Sequence, residues 1–145
     1  MKTRALVLVL LLPILIACEG GPRIEGDAKP KVAETPNDQV KRRAGERWQA
    51  LIRQDFDAAY TYLSPGYRAM RSLELYKSRD FGRRVHWKAA EVKAVSCEPE
   101  VCTAQVDVTY VYLGKIEALA GQETVAPMTE KWVLAEGQWW HLPEK

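Results

Sequence analysis

The 145 residues carry 21 Lys and Arg against 19 Asp and Glu, and 47% of them are hydrophobic and 28% charged. The balanced charge argues against a strongly basic nucleic-acid binder, and the apolar share argues against a highly charged disordered chain. The length allows one domain of ordinary size.

Met1 to Arg4 form a short positive segment, and Ala5 to Ile16 form an apolar run broken only by Pro13. These 12 residues suit the core of a signal peptide and are too few to span a bilayer, which needs about 20. A buried N-terminal helix is the alternative; Pro13 and the Gly/Pro-rich stretch that follows oppose it. Leu15-Ile16-Ala17-Cys18 resembles the lipobox of bacterial lipoproteins. That resemblance implies cleavage before Cys18, diacylation of its thiol and often acylation of the new amino group. One acyl chain holds a protein only marginally, whereas two or more anchor it stably. Glu19 stands where an Asp would signal inner-membrane retention. The implied destination is therefore the outer membrane facing the periplasm, with a Gram-positive surface as the alternative. Removal of residues 1–17 takes Lys2 and Arg4 with it and leaves 19 basic and 19 acidic side chains.

Residues 18–39 read as a lipid-anchored linker, with Gly20-Gly21-Pro22, Gly26, Pro30 and Pro36 and no apolar periodicity. A flexible segment of about 20 residues reaches roughly 25 Å. Its expected role is distance from the membrane, and a partner-binding peptide is the alternative.

Residues 40–145 are expected to form one domain. Asn37 or Asp38 is placed to cap a helix in which Val40, Ala44, Trp48, Leu51 and Ile52 recur at helical spacing. Asp55 caps a shorter helix through Phe56, Ala59, Tyr60 and Leu63, and Ser64-Pro65-Gly66 is expected to stop it. Ser72 opens a third helical turn with Leu73, Leu75 and Tyr76. From Val101 the period changes to two. Cys102, Ala104, Val106, Val108, Tyr110 and Tyr112 alternate with polar residues, as in a half-buried antiparallel strand. Residues 85–97 and 124–135 read as its neighbours, and Glu136-Gly137 as a tight turn into a last strand with Trp139-Trp140. Helices followed by strands predict an α+β layer with the helices on one sheet face.

Trp48-Gln49-Ala50-Leu51-Ile52, Asp55, Ala59-Tyr60, Leu63-Ser64-Pro65 and the terminal Trp-Trp strand are similar to the nuclear transport factor 2-like superfamily. The resemblance spans nearly all of residues 40–145. It implies a curved sheet of about four strands wrapping the helices into a cone. It leaves function open, because that fold hosts isomerases, dehydratases, ligand carriers and non-catalytic assembly domains.

Cys97 and Cys102 lie between two expected strands, so in an oxidising compartment a local disulfide is the natural reading. A loop this short contributes only roughly 2 kcal/mol. The pair lacks the Cys-X-X-Cys spacing of redox motifs, and with no nearby histidine it makes a poor metal site. His86 and His141 occupy no metal or nucleophile motif, so no metal and no cofactor are expected. Glu130 alternates with Met128, Trp132 and Leu134, which puts a carboxylate on an apolar strand face. In the isomerases and dehydratases of the resembled fold, a carboxylate or histidine works with tyrosines in an apolar cavity. Glu130, Tyr60, Tyr110, Tyr112 and Trp132 are the corresponding pocket candidates here, and none matches a catalytic motif. A paired or water-reaching charge is the other reading of Glu130. Trp139 and Trp140 must face opposite sides of their strand, so one lies outward, covered by a partner, a second copy or a loop. Lys41-Arg42-Arg43 and Arg83-Arg84 read as solvated surface, with acidic lipid or glycan contact as the alternative.

These observations lead to the expectation of a membrane-anchored envelope protein. Its domain binds a protein partner or a second copy of itself, without catalysis and without nucleic acid. Small-molecule binding or isomerase-type activity inside the cone is the alternative.

Overall fold

The computed structural model describes residues 33–80, 85–114 and 121–144. Cys18, the expected signal peptide and most of the linker lie outside them. A compact unit begins at Ala33.

Helix α1 runs Pro36–Ile52 and starts inside the expected linker. Its cap is Thr35 and not Asn37 or Asp38. The Thr35 hydroxyl accepts from the Asp38 amide at 3.2 Å, and Pro36 opens the first turn. Val40, Ala44, Arg47, Trp48 and Leu51 form its buried stripe. Gln54, at φ 60°, reverses the chain after the helix. Asp55 then caps α2, Phe56–Tyr60, by accepting from the Ala58 amide at 3.0 Å. The helix expected to run through Leu63 ends at Tyr60, before Ser64-Pro65. The Ser64 hydroxyl accepts from the Tyr67 amide at 3.2 Å and caps a further helix α3, Pro65–Met70. A proline suits that first position because its missing N–H would have had no intrahelical partner. A single turn α4, Leu73–Leu75, follows and leads into a π-helical stretch, Tyr76–Asp80.

Four antiparallel strands follow: β1 Val85–Cys97, β2 Val101–Tyr112, β3 Glu123–Ala135 and β4 Gln138–Leu142, in the order β1-β2-β3-β4. Cys97 and Cys102 sit directly opposite each other and are joined as a disulfide, with their Cα atoms 4.0 Å apart. Glu136 and Gly137 both have positive φ, 54° and 73°, as a two-residue hairpin of the right twist requires. The inner face carries Cys102, Ala104, Val106 and Val108 of β2, all buried against α1. On β1 the alternation breaks twice, because Lys88 and Lys93 have no partner on β2. On the far side, the chain at Tyr62 to Ser64 adds to β4. The His141 amide donates to the Tyr62 carbonyl and the Ser64 amide to the His141 carbonyl, each at 2.9 Å.

The expected cone is not formed. The α+β order, the N-terminal helices and the four antiparallel strands are present, but the sheet is open and β1 never meets β4. Strong curl needs bulges or kinks within the central strands. The β2–β3 ladder instead runs through consecutive pairs from Val101↔Val133 to Val111↔Glu123 without a break, and both irregularities lie on the edge strand β1. Side chains of α1 fill the layer beneath β1 and β2.

Candidate functional site

The inner face of β3 brings Glu130 under α1, where Arg47 meets it. Arg47 Nη1 donates to Glu130 Oε1 at 2.6 Å, and Trp132 Nε1 donates to Oε2 at 3.1 Å. His141 Nε2, from the inner face of β4, stands 3.9 Å from Oε1. Arg47, Glu130 and His141 are 6%, 5% and 7% exposed. A charge at that depth is tolerable only when paired and hydrogen-bonded, and both Glu130 oxygens are. Burial, and then the charge of Arg47, hold the His141 pKa well below its ordinary value, so the ring is neutral at pH 7. Among the described residues the buried Arg47 Nε, Trp48 Nε1 and His141 Nδ1 have no hydrogen-bond partner.

Both Glu130 oxygens are engaged, one by the Arg47 guanidinium and the other by the Trp132 indole. Of the five pocket candidates, Trp132 joins Glu130 and the tyrosines do not. The Tyr60 hydroxyl donates to the Arg71 carbonyl at 2.6 Å and lies 3.3 Å from that of Arg68, and its ring packs on Tyr76, so it braces the α3–α4 segment. Tyr110 and Tyr112 share the inner face but lie near the other end. Ala104 is the β2 residue opposite Glu130, so Tyr110 is six residues along the strand, about 20 Å away. There Tyr110 meets Trp87 edge-on at 5.8 Å, and Trp87 meets Trp48 at 5.4 Å.

Helix α1 packs chiefly along β1. On β3 the inner face therefore changes from buried Glu130 to Met128, which is 38% exposed, and on to half-buried Ala126. Half-buried Trp87, Tyr110 and Tyr112 continue this strip across β1 and β2. It is an apolar and aromatic surface with a neutralised polar cluster at one end. Among the described residues no three His, Cys, Asp or Glu side chains converge to hold a metal.

Trp139 faces inward at 3% exposure. Trp140 lies on the other side, half-buried. Its indole N–H bonds the Ala135 carbonyl at 2.9 Å, and Arg43 and Arg68 flank the ring, so its own chain covers it. Sequence reasoning missed Arg47 and His141 as partners of Glu130. The signal was present in Arg47, which falls on the apolar stripe of α1 between Ala44 and Leu51 and so needs a buried counter-charge.

No known protein family matches the sequence, and no curated protein does. Among solved structures the chain is similar to a SEC-C motif containing protein from Rhodopseudomonas palustris. The identity is 18% and the TM-score 0.51, over 66% of this chain and 68% of that one. It is also similar to an LEH-like epoxide hydrolase from M. tuberculosis, at 12% identity and TM-score 0.46, over 73% of this chain and 80% of that one. The likeness extends to the fold and no further.

Proposed function

We propose that this chain is an exported, lipid-anchored envelope protein whose domain binds a small, partly apolar molecule on the inner sheet face. The observation that carries the binding reading is the step on β3 from buried Glu130 to exposed Met128 on one face, with Trp87, Tyr110 and Tyr112 continuing the strip. Ligand sites have largely apolar walls, and this strip of Met128, Trp87 and the two tyrosines supplies them. The reading is one of binding without turnover, since both Glu130 oxygens are engaged. A partner surface centred on Trp140 is disfavoured because that ring is already covered by Arg43 and Arg68.

Titration with 1-naphthol, read on methionine-methyl and tryptophan-indole NMR signals, tests the ligand strip. Saturable shifts of Met128 and Trp87 are expected, with Met70, 80% exposed elsewhere, unmoved. Equal shifts at Met70, or none at Met128, would end this reading.

The anchor rests on Leu15-Ile16-Ala17-Cys18. In a Gram-negative host the chain is expected to incorporate labelled palmitate and to fractionate with the outer membrane. Cys18→Ala should abolish the label and leave the uncleaved precursor. Full labelling of that variant would refute lipidation at Cys18.

A further inference from the structure

We propose that Arg43 and Arg68, both stacked on Trp140 beside β4, form a binding site for a phosphate-type oxyanion. Arg43 comes from α1 and Arg68 from α3, and their Cζ atoms lie 5.2 and 5.1 Å from the Trp140 ring centroid. Two cations gathered on one indole repel each other, and attraction to the ring offsets this only in part. Among the described residues neither guanidinium forms an ion pair. Glu46, the carboxylate whose field reaches Arg43, is held by Arg42 Nη1 at 3.1 Å and by the Tyr62 hydroxyl at 3.2 Å.

The cluster is held rigidly. Arg43 Nε donates to the Trp139 carbonyl at 2.6 Å, and its two Nη groups face the Gln138 side-chain oxygen at 2.8 Å each. The Tyr62 ring lies 5.1 Å from the same guanidinium, and the Trp140 indole is fixed by the Ala135 carbonyl. Arg68 is different, because its Nε is buried and has no hydrogen-bond partner among the described residues. A charged donor that has lost water and gained nothing is costly, and an oxyanion is the group that compensates it. Burial lowers the pKa of Arg43, so an added negative charge would favour its charged form. A tetrahedral phosphate presents oxygens in several directions and suits guanidinium edges that approach from two elements. The phosphate is either a free ion or part of an anionic lipid headgroup.

The test uses the full chain in discs of neutral lipid, with NMR of the Arg Nε–H and Trp Nε1–H groups while inorganic phosphate replaces chloride at constant ionic strength. Saturable shifts of Arg68 and Trp140 are expected. Arg68→Gln should weaken the response at least about tenfold while the Trp132 indole signal, bonded to Glu130, stays in place as a sign of intact folding. Arg68→Lys, which keeps charge without the planar fork, should recover only part of it. The same shifts in discs containing phosphatidylglycerol, without added phosphate, would identify a lipid headgroup as the source; a response to inorganic phosphate alone would identify the free ion. No shift from either source, or an undiminished response in Arg68→Gln, would overturn the proposal.

Discussion

Arg47→Met is expected to cost the domain about 3–5 kcal/mol of folding stability, measured as the change in urea unfolding free energy at pH 7.5. The size follows from what is left behind. Glu130, 5% exposed, would keep one indole N–H and lose the guanidinium 2.6 Å from its Oε1. An uncompensated buried carboxylate costs far more than the pair contributes. Arg47→Met combined with Glu130→Leu should therefore recover most of the loss, because two apolar side chains suit a site bordered by Trp132 and Ala104. A double variant no more stable than Arg47→Met alone would show that the cost lies in lost packing of the arginine stem and not in the stranded charge.

Acid should weaken the domain through His141. Its folded pKa is depressed below the ordinary 6.5 by burial and by Arg47. The unfolded chain therefore binds the proton more readily, and stability is fully present above about pH 6.5. It falls as pH drops below that value, by up to about 1.4 kcal/mol per pH unit for this one group, until the folded pKa is reached. Carboxylates titrate nearby, so the useful quantity is a difference between proteins. Between pH 7.5 and 5.5, native protein should lose about 1 kcal/mol more than His141→Gln. Parallel curves for the two would exclude His141 as the origin. The consequence is local to β4, since the His141 backbone also holds Tyr62 and Ser64 at the sheet border.

The strands were legible because period-two alternation reports directly on a half-buried sheet, and Gly137 takes its positive φ in the two-residue turn without steric cost. α1 was legible from Val40, Ala44, Trp48 and Leu51. α3 was not, because Ser64-Pro65 has two meanings: the same dipeptide that ends one helix caps the next, and the choice depends on the chain returning to pair with His141. The cone was implied by resemblance and not by pattern; a sequence does not display how far its sheet curls. Glu130 stood out as a charge on an apolar face, but pairing it with Arg47, 83 residues away, required matching two misfit charges across elements. Grouping Tyr110 and Tyr112 with Glu130 failed for a different reason. Alternation assigns a side chain to a face but says nothing of its distance along the strand.

The two unmatched residues of β1 have a consequence for self-association. Lys88 and Lys93 fall at the points where the ladder with β2 skips a residue, on the strand that, among the described residues, has a long border without a partner strand. Each skip misaligns the backbone donors and acceptors that a second chain would need to meet, and each puts an exposed lysine at the irregularity. The other border is occupied by Tyr62 to Ser64 of the same chain. A second copy of the chain would thus meet, among the described strands, no straight open border to pair with, which favours a sheet that stays four strands wide.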